Sequence, residues 1–281
     1  MIWEWLPHDY LMAAVLAGLL TGVICGIAGA FIVTMHLAFL SVCIAHAAFA
    51  GALCAVWLGF PPLALALAFS LGAAAIVGPL AEQGDLSPDA SIGIIFTLMI
   101  GLAFLFFGLA PEARATSLTL FWGSILTADG ADITVLSITA AMCLLLVGGF
   151  FKEIQAVVCH RETAMAAGVP AAVVTYGILF GTGAVIASSL PVIGGLLVYS
   201  LLINPAAAAL QLTYSLRRMI VLSASFGVAS CWVGLAASYF WDLPAGASIV
   251  IVSALIFAAA AGLSPKRRRW PSWKMRATKP A

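Results

Sequence analysis

Apolar runs follow one another from Tyr10 almost to Leu263, broken only by short polar or charged turns. A helix needs about 20 mainly apolar residues to cross the hydrocarbon of a bilayer, so each run predicts a span. They fall at 10–32, 37–57, 61–81, 90–110, 131–150, 170–190, 191–213, 219–240 and 246–263. The stretch SLTLFWGSIL, 117–126, is apolar but only about half the length required. It reads as a re-entrant or interfacial piece and leaves the count at eight or nine. Around Ile203, Asn204 and Pro205 a proline removes a backbone donor inside a span, which predicts a kink or a helix end there. No internal repeat and no low-complexity linker divides the chain. The pattern predicts an all-α, polytopic membrane protein with one transmembrane domain, 1–263, and a tail, 264–281.

Composition agrees with the pattern. Of 281 residues, 64% are hydrophobic and only 8% charged, and the mean hydropathy of +1.15 lies far outside the range of a soluble domain. The opening MIWEWLPHDY has no Lys or Arg, so the first apolar run is read as a retained helix rather than a cleaved signal. Six dispersed cysteines have neither CxxC pairs nor zinc-site spacing and read mostly as small packing residues.

Net charge is only +1, but the tail SPKRRRWPSWKMRATKPA holds seven of the twelve Lys and Arg. Such a cluster could be an arm for nucleic acid or lipid, but in a membrane protein it reads first as a topogenic signal, which sets the C-terminus in the cytoplasm. Alternating sides backward from it puts Arg217, Arg218, Lys152 and Arg161 inside as well. The acidic turns holding Asp129, Asp132 and Asp242 then lie outside.

Candidate chemistry is sparse. An ionisable group at a helix centre in the membrane costs about 2.5–3.5 kcal/mol and usually faces a cavity or a protein partner. His46, in FLSVCIAHAAFAGA, is the deepest such group. A histidine in an apolar site tends to be neutral, with a ring nitrogen to offer a metal ion. Cys43 stands three residues before it on roughly the same helical face, and Val42 one turn before it. A Cys and a His so spaced could supply two soft or borderline ligands. Equally, His46 could be a packed residue bonded to a backbone carbonyl, and Cys43 a small buried hydrophobe. The segment HRETAMAAGVP, 160–170, reads as a brief surface helix closed by Gly168 and Pro170, either a docking knob or a plain connection. The chain has no GxxxxGK[ST], HExxH or GxSxG motif and no paired intramembrane carboxylates, so neither ATP hydrolysis nor intramembrane hydrolysis has support in it.

Four stretches taken in order resemble the permease subunits of the ABC-3 family, which carry zinc, manganese or iron through ABC importers. They are AFLSVCIAHAAFAGA; SIGIIFTLMIGLAFLFFG followed by LFWGSILTADGADI; RETAMAAGVPAAVV with VIGGLLVYSLLINPAAAAL; and ASYFWDLPAGASIVIVSALIF. Their order and spacing match along nearly the whole chain. The resemblance implies an all-helical permease of the bacterial inner membrane that dimerises around a translocation path. It implies a cytoplasmic ATPase subunit docked below and an extracytoplasmic metal-binding protein docked above, with no enzymatic activity in this chain. No nucleic acid and no tightly bound cofactor are expected; the membrane lipid and the transported ion are.

By the same resemblance His46 is the pathway histidine; the spacing offers Cys43 as a second metal ligand, Val42 and Ala45 would line a path beside it, and Asn204 either lines the path or caps a broken helix. Arg161, Glu162, Thr163 and Gly168 match the surface helix that meets the ATPase, and Asp242, Pro244 and Gly246 match an outer turn that either shapes the mouth or caps helices. The departure is Val42, which stands where the family has an acid. Manganese prefers oxygen ligands, whereas His with a nearby Cys suits zinc. The expectation is therefore a permease for a divalent metal, zinc first and manganese or iron next. A metal chelate or other small solute is the alternative cargo, and a non-transporting membrane scaffold the reading from another class.

Overall fold

The computed structural model describes residues 8–83, 87–110, 118, 120, 123 and 125–266. The opening seven residues, the basic tail from 267 onward and positions 117, 119, 121, 122 and 124 of the short apolar stretch lie outside the described residues. What is described is helical. The membrane helices are α1 (His8–Thr34), α2 (Ala38–Leu58), α3 (Pro62–Gln83), α4 (Pro88–Leu109) and α5 (Gly130–Gly149). After them come two short helices, α6 (Phe151–Cys159) and α7 (Arg161–Ala166), then α8 (Ala171–Ile193), α9 (Gly195–Leu212), α10 (Leu216–Trp241) and α11 (Ala245–Gly262). Seven of these are long and apolar enough to cross a membrane, and α3 and α9 contain the shorter apolar stretches Pro62–Val77 and Leu197–Leu212. The boundaries lie within a few residues of those expected from hydropathy, because in hydrocarbon every backbone N–H and C=O must be bonded inside its own helix.

The helices assemble through small residues. α1 runs through the middle of the molecule, against α10 and α9 on one side and α5 and α8 on the other. At its crossing with α10, a Cβ on Gly22 would stand 2.6 Å from the backbone nitrogen of Val228, and one on Gly227 would stand 2.3 Å from the Gly22 carbonyl oxygen. Two glycines thus let the backbones touch, which is the main source of helix affinity where lipid is as apolar as the side chains. Polar groups add to it. Ser223 Oγ donates to Gly26 O at 2.7 Å, and Trp232 Nε1 donates to Val15 O at 3.2 Å. α2 packs on α3, α4, α8 and α9 and is buried on most of its circumference, whereas much of α4, α5 and α11 is exposed.

α9 continues unbroken through Pro205, so the helix end expected there is absent. A break does fall at Gly194 (φ 78°, ψ 155°), which separates α8 from α9 close to the boundary expected between the 170–190 and 191–213 spans. Within the 117–126 stretch, Gly123 (φ +69°) presses against this break, and a Cβ there would lie 2.1 Å from the Ile193 carbonyl carbon. Only glycine admits both the positive φ and that approach. A short 3₁₀ turn, Ile125–Thr127, then leads to α5. Asp129 caps α5 by accepting from the Asp132 N–H at 2.8 Å, and Asp132 returns the bond to the Asp129 N–H.

At the other end of the bundle the cations gather. Arg217 lies over the Phe151 ring at 5.3 Å, and Lys266 lies over the Tyr214 ring at 4.5 Å. Lys266 Nζ donates to Leu210 O and Ser264 Oγ donates to Gln211 O, so the first residues after α11 cap the free carbonyls at the end of α9. Partial burial there pulls the Lys266 pKa below the usual lysine value.

Candidate functional site

Most of α2 is enclosed, but Phe39, Val42, His46 and Phe49 remain partly or fully open to the outside. Their steps of three and four residues make one stripe along the helix. His46 and Phe49 on that stripe, with Ala45 beside it, line a cavity of about 300 Å³ whose opposite wall is α4, through Ile100, Phe104 and Phe107. Gly195, the first residue of α9, closes one end. The cavity therefore sits beside the Gly194 break that Gly123 braces. Apart from His46, the described residues of its wall are all apolar or glycine.

His46 is held in a defined orientation. Its Nδ1 lies 2.9 Å from the Val42 carbonyl oxygen, one helical turn back. A carbonyl only accepts, so Nδ1 carries the hydrogen, and a neutral ring then has an unprotonated Nε2. The Phe96 ring meets the imidazole edge to face, with centroids 4.8 Å apart. A backbone bond and an aromatic wall thus fix the ring while one nitrogen stays available, as in histidines that ligate metals.

Not every expected partner joins it. Cys43 is 0% exposed and belongs to the central core; it does not line the cavity. Three residues along a helix is about 300° of rotation. The remaining 60° is enough to turn Cys43 into the protein while His46 faces out. Val42 takes part through its carbonyl rather than its side chain. Asn204 is placed elsewhere: its Nδ2 donates to Ser200 Oγ at 3.0 Å and to Ser253 Oγ at 2.9 Å, tying α9 to α11. Among the described residues no three His, Cys, Asp or Glu side chains come together as a metal site.

The segment expected as a surface helix is α7, and α6 precedes it. α6 buries Ile154, Val157 and Val158 while Lys152, Glu153 and Gln155 face outward. The sequence reading missed this amphipathic helix, whose apolar positions are spaced for one face over only nine residues. α7 is anchored by Ala164, which packs with Val157 and Ala171, and exposes Arg161, Glu162 and Thr163. Its end is a Schellman motif: the Val169 N–H donates to Ala164 O and the Gly168 N–H to Met165 O, both at 3.0 Å, with Gly168 at φ +82°. The result is a knob on the cationic end of the bundle with an exact stop.

The outer turn is a pair of helix caps. Asp242 takes the left-handed conformation (φ 53°, ψ 40°) that ends α10, and Ser238 Oγ donates to the Leu243 carbonyl at 2.6 Å. Pro244 begins α11, where Ser248 N–H and Oγ both donate to its carbonyl, and Gly246 lies in the first turn. The α4 residues facing His46 were also not singled out from sequence. Their signal was present, since Phe96, Ile100, Phe104 and Phe107 stand on one helical face.

Comparison with known proteins bears on this arrangement. The model of the ABC 3 transport family matches residues 7–263. The manganese transport system membrane protein MntC of Halalkalibacterium halodurans is 31% identical over 93% of this chain and 90% of its own length. The chelated iron transport system membrane protein YfeD of Yersinia pestis is 29% identical over 92% of this chain and 87% of its own. Among solved structures, PsaBC from Streptococcus pneumoniae superposes with a TM-score of 0.85 at 27% identity, covering 95% of each chain.

Proposed function

The chain belongs to the ABC 3 transport family, a membrane permease subunit and not itself an enzyme, and from that membership we propose that it passes a divalent transition-metal ion across the inner membrane along the face that carries His46. The single observation behind this is the orientation of that ring. Its Nδ1 is committed to the Val42 carbonyl, it lines the cavity between α2 and α4, and among the described residues no carboxylate lines that cavity. One imidazole cannot hold an ion alone. A second copy of the chain, meeting this one along the open α2 stripe, brings a second imidazole and completes a weak station that binds and releases.

The nature of the donors sets the preference. Two nitrogens without an acid suit zinc, a borderline ion, better than manganese, whose affinity for nitrogen donors is lower in the Irving–Williams order. The relatives named for manganese and chelated iron support those cargoes as the competing reading. Energy comes from a separate ATPase subunit seated on α7, and the cations around Arg217 and Lys266 support a cytoplasmic side for that end and for the C-terminus. A metal-binding protein delivers cargo at the opposite end.

The test is uptake by the complete complex in vesicles, measured for zinc and manganese in competition. His46→Ala is expected to cut uptake of the cargo ion at least tenfold. Val42→Asp, which restores an oxygen donor one turn from His46, is expected to move the preference toward manganese. Undiminished uptake by His46→Ala refutes the proposal, and manganese preference in the unaltered chain refutes the choice of zinc.

A further inference from the structure

A second cavity lies away from His46. α5 and α8 part to leave a groove of about 440 Å³ floored by Ala28 and Phe31 of α1. Its rim residues Met142, Leu146, Phe150 and Val173 are exposed, so it opens sideways to the bilayer. Its two hydroxyls are already satisfied within their helices, Thr139 donating to Val135 O and Thr182 to Ile178 O. Apart from the Cys143 thiol, a weak donor, the described wall between α5 and α8 therefore offers hydrocarbon. Along α5 it runs from Thr139 to Phe150, eleven steps of about 1.5 Å or roughly 16 Å, which is half the roughly 30 Å of a bilayer core. Its depth is thus that of one leaflet.

The mouth has a different chemistry. Glu153 of α6 lines it, its neighbour Lys152 is exposed, and Arg217 sits over the adjoining Phe151 ring. A carboxylate beside two cations complements a headgroup that carries both an ammonium and a phosphate. We propose that this groove binds one phospholipid of the leaflet on the α6–α7 side, an acyl chain lying between α5 and α8 and an ethanolamine headgroup at Glu153. Its mouth is built from residues on both sides of α7, so the lipid wedges the base of the knob. That consequence rests on the role of α7 in coupling, whereas the lipid site itself does not.

Gly177 and Gly181 supply the means to test it. Both line the groove, and a Cβ on either meets nothing within 4 Å, so larger side chains fill the space without striking backbone. The complete complex is reconstituted in equal parts phosphatidylethanolamine and phosphatidylglycerol, extracted in mild detergent, and its retained lipid counted by native mass spectrometry. One phosphatidylethanolamine per chain is expected. The double variant Gly177→Leu, Gly181→Leu should retain at least fivefold less, with an unchanged elution volume showing that the fold is intact. Glu153→Gln should keep a lipid but lose the preference for ethanolamine over glycerol headgroups. Full retention by the leucine variant, or disulfide cross-linking between two copies through Gly181→Cys, overturns the acyl-chain site. Retained ethanolamine preference in Glu153→Gln overturns the headgroup assignment.

Discussion

Replacing Gly168 by alanine isolates what the knob contributes. A Cβ at this position meets nothing within 4 Å, so the substitution adds no clash. Its whole cost is the left-handed backbone at φ +82°, about 1–2 kcal/mol for an L-residue with a side chain. Relaxing out of that conformation offers no escape. It breaks the Gly168–Met165 and Val169–Ala164 hydrogen bonds, worth about 1 kcal/mol each, so the variant loses a similar amount by either route. A penalty of 1–2 kcal/mol lowers the ratio of intact to relaxed knob by a factor of about 5–30. The assay is ATP turnover by the reconstituted complex, stimulated by the loaded binding protein. Gly168→Ala should slow it by up to that factor. Gly168→Asn, which tolerates the left-handed region, should recover most of the loss. Full turnover by Gly168→Ala refutes the idea that the Schellman stop sets the docking geometry, and equal loss in the asparagine variant assigns the effect to the side chain.

Other expectations follow from single contacts. Cys43→Ala should leave metal uptake intact, because the thiol is enclosed in the core and does not line the cavity; a loss matching that of His46→Ala would restore it as a ligand. Gly22→Leu should destabilise the bundle by about 1–3 kcal/mol or more through overpacking, read as a lower Tm in detergent, since its Cβ lies within 2.6 Å of α10 backbone; an unchanged Tm would mean α1 and α10 separate freely. Asn204→Leu removes the donors to Ser200 and Ser253 and should cost about 0.6–2 kcal/mol while the His46 cavity keeps its zinc uptake; a transport defect without a stability change would return Asn204 to the path. Asp242→Val should cost about 1–2 kcal/mol at its left-handed position and Asp242→Gly nearly nothing, compared by thermal unfolding; equal losses would show that the carboxylate matters in its own right.

How far the sequence carried the fold follows from the solvent. In lipid a helix end inside the hydrocarbon exposes unbonded backbone groups, so hydropathy places the membrane helices close to their observed limits. The stop at Gly168 and the prominence of His46 were readable for similarly local reasons. Of the kink or helix end expected at Pro205, the end is absent, because a proline forbids one backbone bond but does not oblige a helix to stop; the break lies at Gly194, close to the span boundary that hydropathy placed between 190 and 191. α6 was missed although its nine residues put charges on one side and Ile154, Val157 and Val158 on the other, because so short a stripe follows directly on a long apolar run that dominates the hydropathy pattern. The placing of Cys43 and Asn204 could not be read at all. Both depend on how a helix apolar on every face is rotated, and such a helix contains no stripe to declare it.

By itself, then, the chain determined where it crosses the membrane, which end gathers its cations and which residues are costly enough to demand a purpose. Those follow from the energy of putting charge and unpaired backbone into hydrocarbon, which each segment meets alone. The tertiary structure decided what each helix turns toward. Glycine contacts such as Gly22 with α10 and Gly51 with α3 fix the rotation of α1 and α2, and that rotation sends Cys43 inward, sets His46 against Phe96 and leaves α5 and α8 apart. Close packing between backbones is a property of pairs of helices, so only the assembled bundle could settle it.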